Sequence, residues 1–481
     1  MRKLFTVILT VWAVSALLIP GGVPFLPAQA APDGHTIFIP LLSSPPDPNT
    51  FSARVNLPYF SDGSAQHFSE AAVSWFGAVT PSQNYADIRL SYDSTRLWVY
   101  FSASDHYLWY NPTPASSPLT DWDSISLRLD LTGTAGTALG AQSYRFDAAM
   151  SWYEARSAYQ AAYRWQNGQW SAQPLAFQST AGYDGYFNDN QRASRGWAIT
   201  LEIPFASLGL AGRPSEGTLW GASLSMHDRD SLAGPPQADQ AWPAGAQLVS
   251  PSTWAQLRFG LPDYGAHPGA VSGSDIIRRD PSRGLQVKDA GVGGTTPNLC
   301  PGDETYIWNQ WGAGNFGSQG EFSIQNQSNI VDWPCFSKVY ISFPLASLPA
   351  NKQILSARLV LHHQGSAGNP GAAQPSLIQV LTVGQDWDEA GITWNNAPPP
   401  LENVARTWVS APLDYGAWPK IRVEWDVTGA AARAYAAGQP LRLVLYEADA
   451  ALHSGKYFTS SDTGDWNLAG RPALEIAWGE R

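Results

Sequence analysis

The chain has 481 residues, 14% of them charged, and a net charge of −11. Soluble chains average about 25% charged residues; here uncharged polar residues and aromatics, including 22 tryptophans, fill the difference. The negative balance argues against nucleic acid or anionic membranes as partners.

Arg2 and Lys3 precede an apolar run from Leu4 to Ile19, a turn at Gly21-Gly22 and the small-residue site Ala28-Gln29-Ala30. A basic start, an apolar core and a small-x-small site read as a signal peptide over residues 1–30, with a membrane anchor as the alternative. Residues 31–52, which include "SSPPDPNT", read as a Pro-rich linker. No later stretch is long and apolar enough to span a bilayer, so the mature chain is expected to be secreted, extracellular or on the cell surface.

From residue 53 the pattern is that of strands. "RLWVYFSAS" sets Leu97, Val99, Phe101 and Ala103 on one face, with Trp98 and Tyr100 opposite. "DSISLRLDL" alternates Ile125, Leu127, Leu129 and Leu131 with Ser124, Ser126, Arg128 and Asp130. "GWAITLEIPF" does the same through Trp197, Ile199, Leu201, Ile203 and Phe205. A Gly/Pro/Ser-rich break at 263–276 follows, and then "VYISFPL", "ARLVLHH", "IRVEWDVT", "LRLVLYE" and "PALEIAW" repeat the period-2 habit. One helix is expected at 428–437, capped by Thr428 and ended by Gly438. The fold class is therefore all-β: two tandem, jelly-roll-like β-sandwich domains at 53–262 and 277–481, joined by the 263–276 linker.

In an exported chain the two cysteines, Cys300 and Cys335, are expected to form a disulfide, worth on the order of 4 kcal/mol for a loop of this length. Two free thiols are the alternative. Zinc is poorly supported, since no paired ligands sit nearby at metal spacing.

No catalytic residue is assigned. The sequence has no G-x-S-x-G elbow, no H-E-x-x-H and no phosphate-cradling Gly loop. His362 and His363 are adjacent on one strand, so they point to opposite faces and read as surface or edge residues. Glu202 reads as structural. In "GQDWDEAGITWNNAPP" (384–399) Trp387 and Trp394 are expected to pack on a sheet, and Glu389 to accept from backbone N–H groups of its own turn. No cofactor is expected, apart from calcium in a structural role: Asp228 and Asp230 in "SMHDRDS" either ligate calcium with a backbone carbonyl or form an Asx turn.

The pieces "DETYI", "GNFG", "EFSIQNQS", "KVYISFPLASLP", "ILSARLVLHH", "DWDEAGITWNNAP", "DVTGAAARAYAAG", "LRLVLYE", "KYFTSSD" and "RPALEI" occur in that order. This part resembles the DNRLRE domain, a secreted β-sandwich related to carbohydrate-binding module family 96. Some members bind acidic polysaccharide, which implies a basic or aromatic face; Arg358, Lys420, Arg422 and Lys456 are candidates for it, and only Lys338 stands where the family often has an arginine-rich start.

The first part, through "ADIRLSYDSTRLWVYFSASD", "WDSISLRLDL", "YRFDA", "GWAITLEIPFASLGL", "WGASLSMHDRD" and "STWAQLRFG", resembles the family 9-like carbohydrate-binding modules. The resemblance implies a sugar held between two aromatics with help from an arginine. Trp122 and Trp242 match the aromatics and Arg145 the arginine, while Ser126 stands where the family has an acid. Trp109, Tyr110, Trp152 and Tyr153 are further candidates for the same groove, and Trp98 either contacts a second sheet or forms an open platform. The expected function is non-catalytic binding of polysaccharide or cell-surface glycan by ring stacking and hydrogen bonds. The rivals are a surface or matrix protein with spacer sandwiches, and an accessory part of a carbohydrate-active enzyme.

Overall fold

The computed structural model describes residues 53–481 except 64–66, 135, 137, 152–154, 295–303, 327–334 and 449–450. The signal peptide, the 31–52 linker, Trp152, Tyr153 and Cys300 lie outside the described residues. No described helix is long and apolar enough to cross a membrane.

The first part contributes β1 (Arg54–Leu57), β2 (Ala72–Thr80), β3 (Gln83–Tyr92), β4 (Arg96–Ser104), β5 (Ser124–Asp130), β6 (Ser143–Ala149), β7 (Gln160–Gln166), β8 (Gln169–Ala172), β9 (Gln178–Asp184), β10 (Gly196–Pro204), β11 (Leu219–His227), β12 (Gln240–Trp242) and β13 (Ala255–Phe259). The second contributes β14 (Gly273–Arg278), β15 (Lys288–Gly293), α1 (Glu304–Asn309), β16 (Glu321–Ile324), β17 (Ser337–Phe343), β18 (Lys352–Ser366), β19 (Ser376–Val383), β20 (Pro400–Val409), β21 (Ile421–Asp426), α2 (Thr428–Ala436), β22 (Leu441–Glu447), β23 (Lys456–Thr459) and β24 (Ala473–Glu480).

Two sandwiches result, as the alternation requires. In the first, the five-stranded sheet β2-β3-β4-β10-β9 faces β13-β11-β5-β6-β7-β8. The alternating residues Leu97, Val99, Phe101, Ile125, Leu127, Leu129, Trp197, Ile199 and Leu201 meet in its core. In the second, β14-β24-β18-β23-β16, with β21 on β18, faces β15-β17-β22-β19-β20 around Val339, Ile341, Phe343, Leu359, Leu361, Leu443 and Leu445. The 263–276 break is not wholly irregular, because β14 begins at Gly273 and pairs with β24.

The sandwiches share a sheet. β1 runs parallel to β13 on one side and bridges to β20 on the other through Arg54 and Glu402, so one 13-stranded sheet passes through both. Asn56 and Asn403 continue this ladder with side chains. The Asn403 Oδ1 accepts from the Asn56 N–H at 2.8 Å, and each amide NH₂ donates to the other residue's carbonyl.

A third core closes the junction. The outward faces of β2 and β3 (Val73, Trp75, Tyr85) pack against Val292, Tyr340, Trp387, Trp394, Val444 and Tyr446 of the second part. Gly293 makes room for this. Its φ of 97° suits only glycine, and a Cβ there would stand 2.8 Å from the Trp394 ring.

Candidate functional site

The face of the large sheet that turns away from the first core is polar, by the same alternation that builds the core. β5 presents Ser126 and Arg128, β6 presents Arg145 and Asp147, and β11 presents Ser225 and His227. Cross-strand register sets Ser126 opposite both Asp147 and Ser225, and Arg128 opposite Arg145, close enough for their side chains to meet.

They form one hydrogen-bonded row. Arg145 holds Asp147 with two bonds, Nε–Oδ1 at 2.7 Å and Nη2–Oδ2 at 2.6 Å. Ser126 Oγ donates to Asp147 Oδ1 at 2.7 Å and lies 2.9 Å from His227 Nε2. His227 Nδ1 is 2.8 Å from Asp239 Oδ1. Arg128 donates to Ser225 Oγ at 2.9 Å. Burial, and then the neighbouring Arg145 charge, pull the Arg128 guanidinium down to about 10. Tyr163 on β7 stacks on the Arg145 guanidinium at 4.9 Å. Arg145, Tyr163 and Asp239 are the partly open members, and the others lie behind them.

Ser126, His227 and Asp239 have the connectivity of a nucleophilic triad, but the geometry opposes acyl transfer. Ser126 and His227 are both buried, and the Ser126 hydroxyl is shared with Asp147, so the hydroxyl is closed to an acyl substrate. The row offers charged donors and acceptors to a polyhydroxylated ligand.

The expected aromatic clamp is not there. Trp122 is only 9% exposed and Trp242 only 3%. The Trp122 indole N–H donates to Ser117 Oγ at 2.8 Å, with the Arg229 guanidinium 4.9 Å from its ring. Trp242 lies opposite Leu224, whose side chain faces the core, so its indole joins the core and donates to Ser74 Oγ. Trp109 is buried and donates to Asn190; Tyr110 is half-buried against Phe187 and Tyr159. Trp98 is also buried, bonded to Asp93. The four indoles are large apolar bodies whose single N–H is satisfied inside, so the sandwich keeps them.

The acids read near Asp228 form a larger group. Carboxylate oxygens of Asp105, Asp123 and Asp228 lie within 4.8 Å of one another, all buried. Asp123 accepts from the N–H groups of Trp109 and Arg229, and Asp105 from Tyr107 N–H and Trp197 Nε1. Asp228 Oδ1 is buried without a hydrogen-bond partner. Burial first, and then repulsion from Asp230, push Asp105 up to about 7. Burial, Asp105 and Asp230 push Asp228 up to about 9. Asp230 sits beside this group, with its carboxylate bonded to Gln237, and is not one of the three.

Elsewhere the structure corrects several assignments. His362 and His363 are buried, not at the surface; His362 Nδ1 is 3.1 Å from the Gly470 carbonyl and His363 Nε2 is 2.7 Å from that of Gly365. Trp387 and Trp394 do pack, but Glu389 accepts from Asp289 N–H on β15 and not from its own turn. Arg358 and Arg422 are tied to Glu424, and Arg422 also to Glu475. Lys456 is buried and donates to the Gln374 and Ser454 carbonyls. Glu202 pairs with Arg96, in the structural role expected.

One comparison falls on the second sandwich. Residues 295–476 match carbohydrate-binding module family 96. Among solved structures, the chain is similar to a carbohydrate-binding module family 9 from Caldicellulosiruptor kristjanssonii in complex with cellotriose, at 16% identity over 45% of this chain and 99% of that one, with a TM-score of 0.30. The same module in complex with glucose gives 16% identity over 44% and 97%, with a TM-score of 0.30. No curated protein matches the chain.

Proposed function

We propose that this chain is an exported, non-catalytic protein that binds polysaccharide. The family 96 match over residues 295–476 supports the class of ligand. The observation that carries the reading is the row Arg145–Asp147–Ser126–His227–Asp239, which opens at Arg145, Tyr163 and Asp239. An arginine and a carboxylate side by side bond vicinal hydroxyls, and a tyrosine ring beside them covers a pyranose face. Calcium fits the Asp105, Asp123 and Asp228 group, since a hard dication would supply the charge and the bond that Asp228 Oδ1 lacks. It would act there structurally, holding the loops after β4 and β11 to the start of β5.

Affinity electrophoresis through gels containing soluble polysaccharides tests the reading. The wild-type chain should be retarded, and Arg145→Ala and Asp239→Ala should each migrate faster. The burial of Trp122 and Trp242 favours a second reading, in which both sandwiches are spacers of a surface or matrix protein. Absence of retardation by any polymer would select it.

A further inference from the structure

Most of the described tryptophans are inside; Trp408, Trp418 and Trp466 are outside, and only the last two meet each other. Trp418 is 48% exposed and Trp466 69%. They come from separate loops, one before β21 and one before β24, yet their ring centroids are 4.9 Å apart with planes at 90°. One indole thus stands against the other as two walls of a corner open to water.

Both loops are held from below. Asp414 Oδ1 accepts the Gly416 N–H, the Ala417 carbonyl accepts the Lys420 N–H, and Lys420 Nζ donates to the Gly416 carbonyl. Lys420 itself has φ 81°, a left-handed conformation that is costly for lysine and that sets the turn behind Trp418. On the other loop, Asp465 pairs with Arg471 at 2.7 Å, and the Trp466 ring lies so close to Gly464 that a Cβ there would come within 2.8 Å of it. Rings fixed in place lose little freedom when a ligand arrives.

We propose that Trp418 and Trp466 form a stacking corner for a neutral pyranose chain, a second glycan contact on the C-terminal sandwich. This rests on the reading of the chain as a polysaccharide-binding protein. The charges around the corner decide the ligand class. Arg422 is neutralised by Glu424 and Glu475, Arg358 by Glu424, and Arg471 by Asp465. The Lys420 ammonium is folded over the Trp418 ring at 4.8 Å. The three arginines already serve carboxylates and Lys420 serves its own loop carbonyl and ring, so a uronate would have to break these bonds to find a cation, whereas a neutral sugar needs only the ring faces.

Affinity electrophoresis of the full chain through hydroxyethylcellulose, xylan, galactomannan and alginate tests this, with thermal melts confirming that the variants fold. Trp418→Ala and Trp466→Ala are each expected to weaken binding to a neutral polymer about tenfold, the equivalent of one stacked ring, and alginate is expected not to retard the chain. Variants that run like wild type, while Arg145→Ala runs free, would overturn the corner and leave the polysaccharide reading standing. A wild-type chain retarded by alginate alone would overturn the neutral assignment. A wild-type chain retarded by none of the four would overturn both.

Discussion

The Lys338 ammonium donates to the Tyr85 hydroxyl at 2.6 Å, and that bond crosses from one sandwich to the other. Four rings enclose the charge: Trp394 at 3.6 Å, Trp75 at 4.2 Å, Tyr85 at 4.3 Å and Tyr446 at 4.8 Å. Burial drives the lysine well below its ordinary range, against the pull of Asp87. Tyr85 in turn donates its hydroxyl to Asp87, which also takes bonds from Arg89 and Asn326. A polar chain at the centre of an apolar junction fixes register between two bodies that could otherwise slide.

Lys338→Ala should therefore destabilise the whole chain by about 3 kcal/mol, through a cavity and lost cation–π contact. Lys338→Met, which keeps the volume, should cost much less. Urea unfolding followed by tryptophan fluorescence checks both. The wild type is expected to melt in one transition; two resolved transitions would show that the junction does not couple the halves.

Calcium and pH should act in opposition at the Asp105, Asp123 and Asp228 group. In chelator, Asp105 near 7 and Asp228 near 9 hold protons that the unfolded chain releases near 3.8. That contribution is complete below the unfolded value and is lost as pH rises through 7 and then 9. The melting temperature in chelator should fall across this window. Calcium at a hundredfold excess over its Kd should restore about 2.7 kcal/mol at pH 8, and Asp228→Asn should abolish the restoration. A melt at pH 8 that is indifferent to calcium would count against the site.

On the polar face, Asp147→Asn should weaken polysaccharide binding more than Asp239→Asn. Asp147 orients Arg145 through two bonds and Ser126 through a third, while Asp239 bonds His227. Equal losses from the two variants would show that Arg145 is not the group being positioned.

Reduction should lower the melting temperature if Cys300 and Cys335 are joined. The chain-entropy argument gives about 4 kcal/mol for the 34 residues between them. Thiol titration of the unfolded, unreduced chain would find two reactive groups if no bond exists.

The strands were legible because half of their residues are apolar in strict alternation, and Ile125, Leu127 and Leu129 occupy the core as that pattern demands. Helix α2 also falls within its expected span, though its cap differs. Val427 is the N-cap, and Thr428 instead accepts from Ala357 N–H. The junction was not legible. Tyr85, Asp87 and Arg89 lie on the outward face of β3, and nothing local shows that a second sandwich will cover them. The site was half legible. Arg145 stood out by resemblance and Ser126 only as a departure from it, whereas His227 and Asp239 join them through a long-range pairing of β11 with β5 and a loop return. The tryptophans misled for a physical reason: an indole has the same composition signature whether its face meets water or leucine.

The thin strand β1 fills the slot between β13 and β20. Expressing the second half alone would remove β1 and uncover the border of β20, and the first half alone would keep β1 on β13 but uncover the other border of β1. Such an unguarded border invites end-to-end stacking of copies. Dissection into modules, the habitual first step with proteins of this kind, is thus the manipulation this architecture tolerates least.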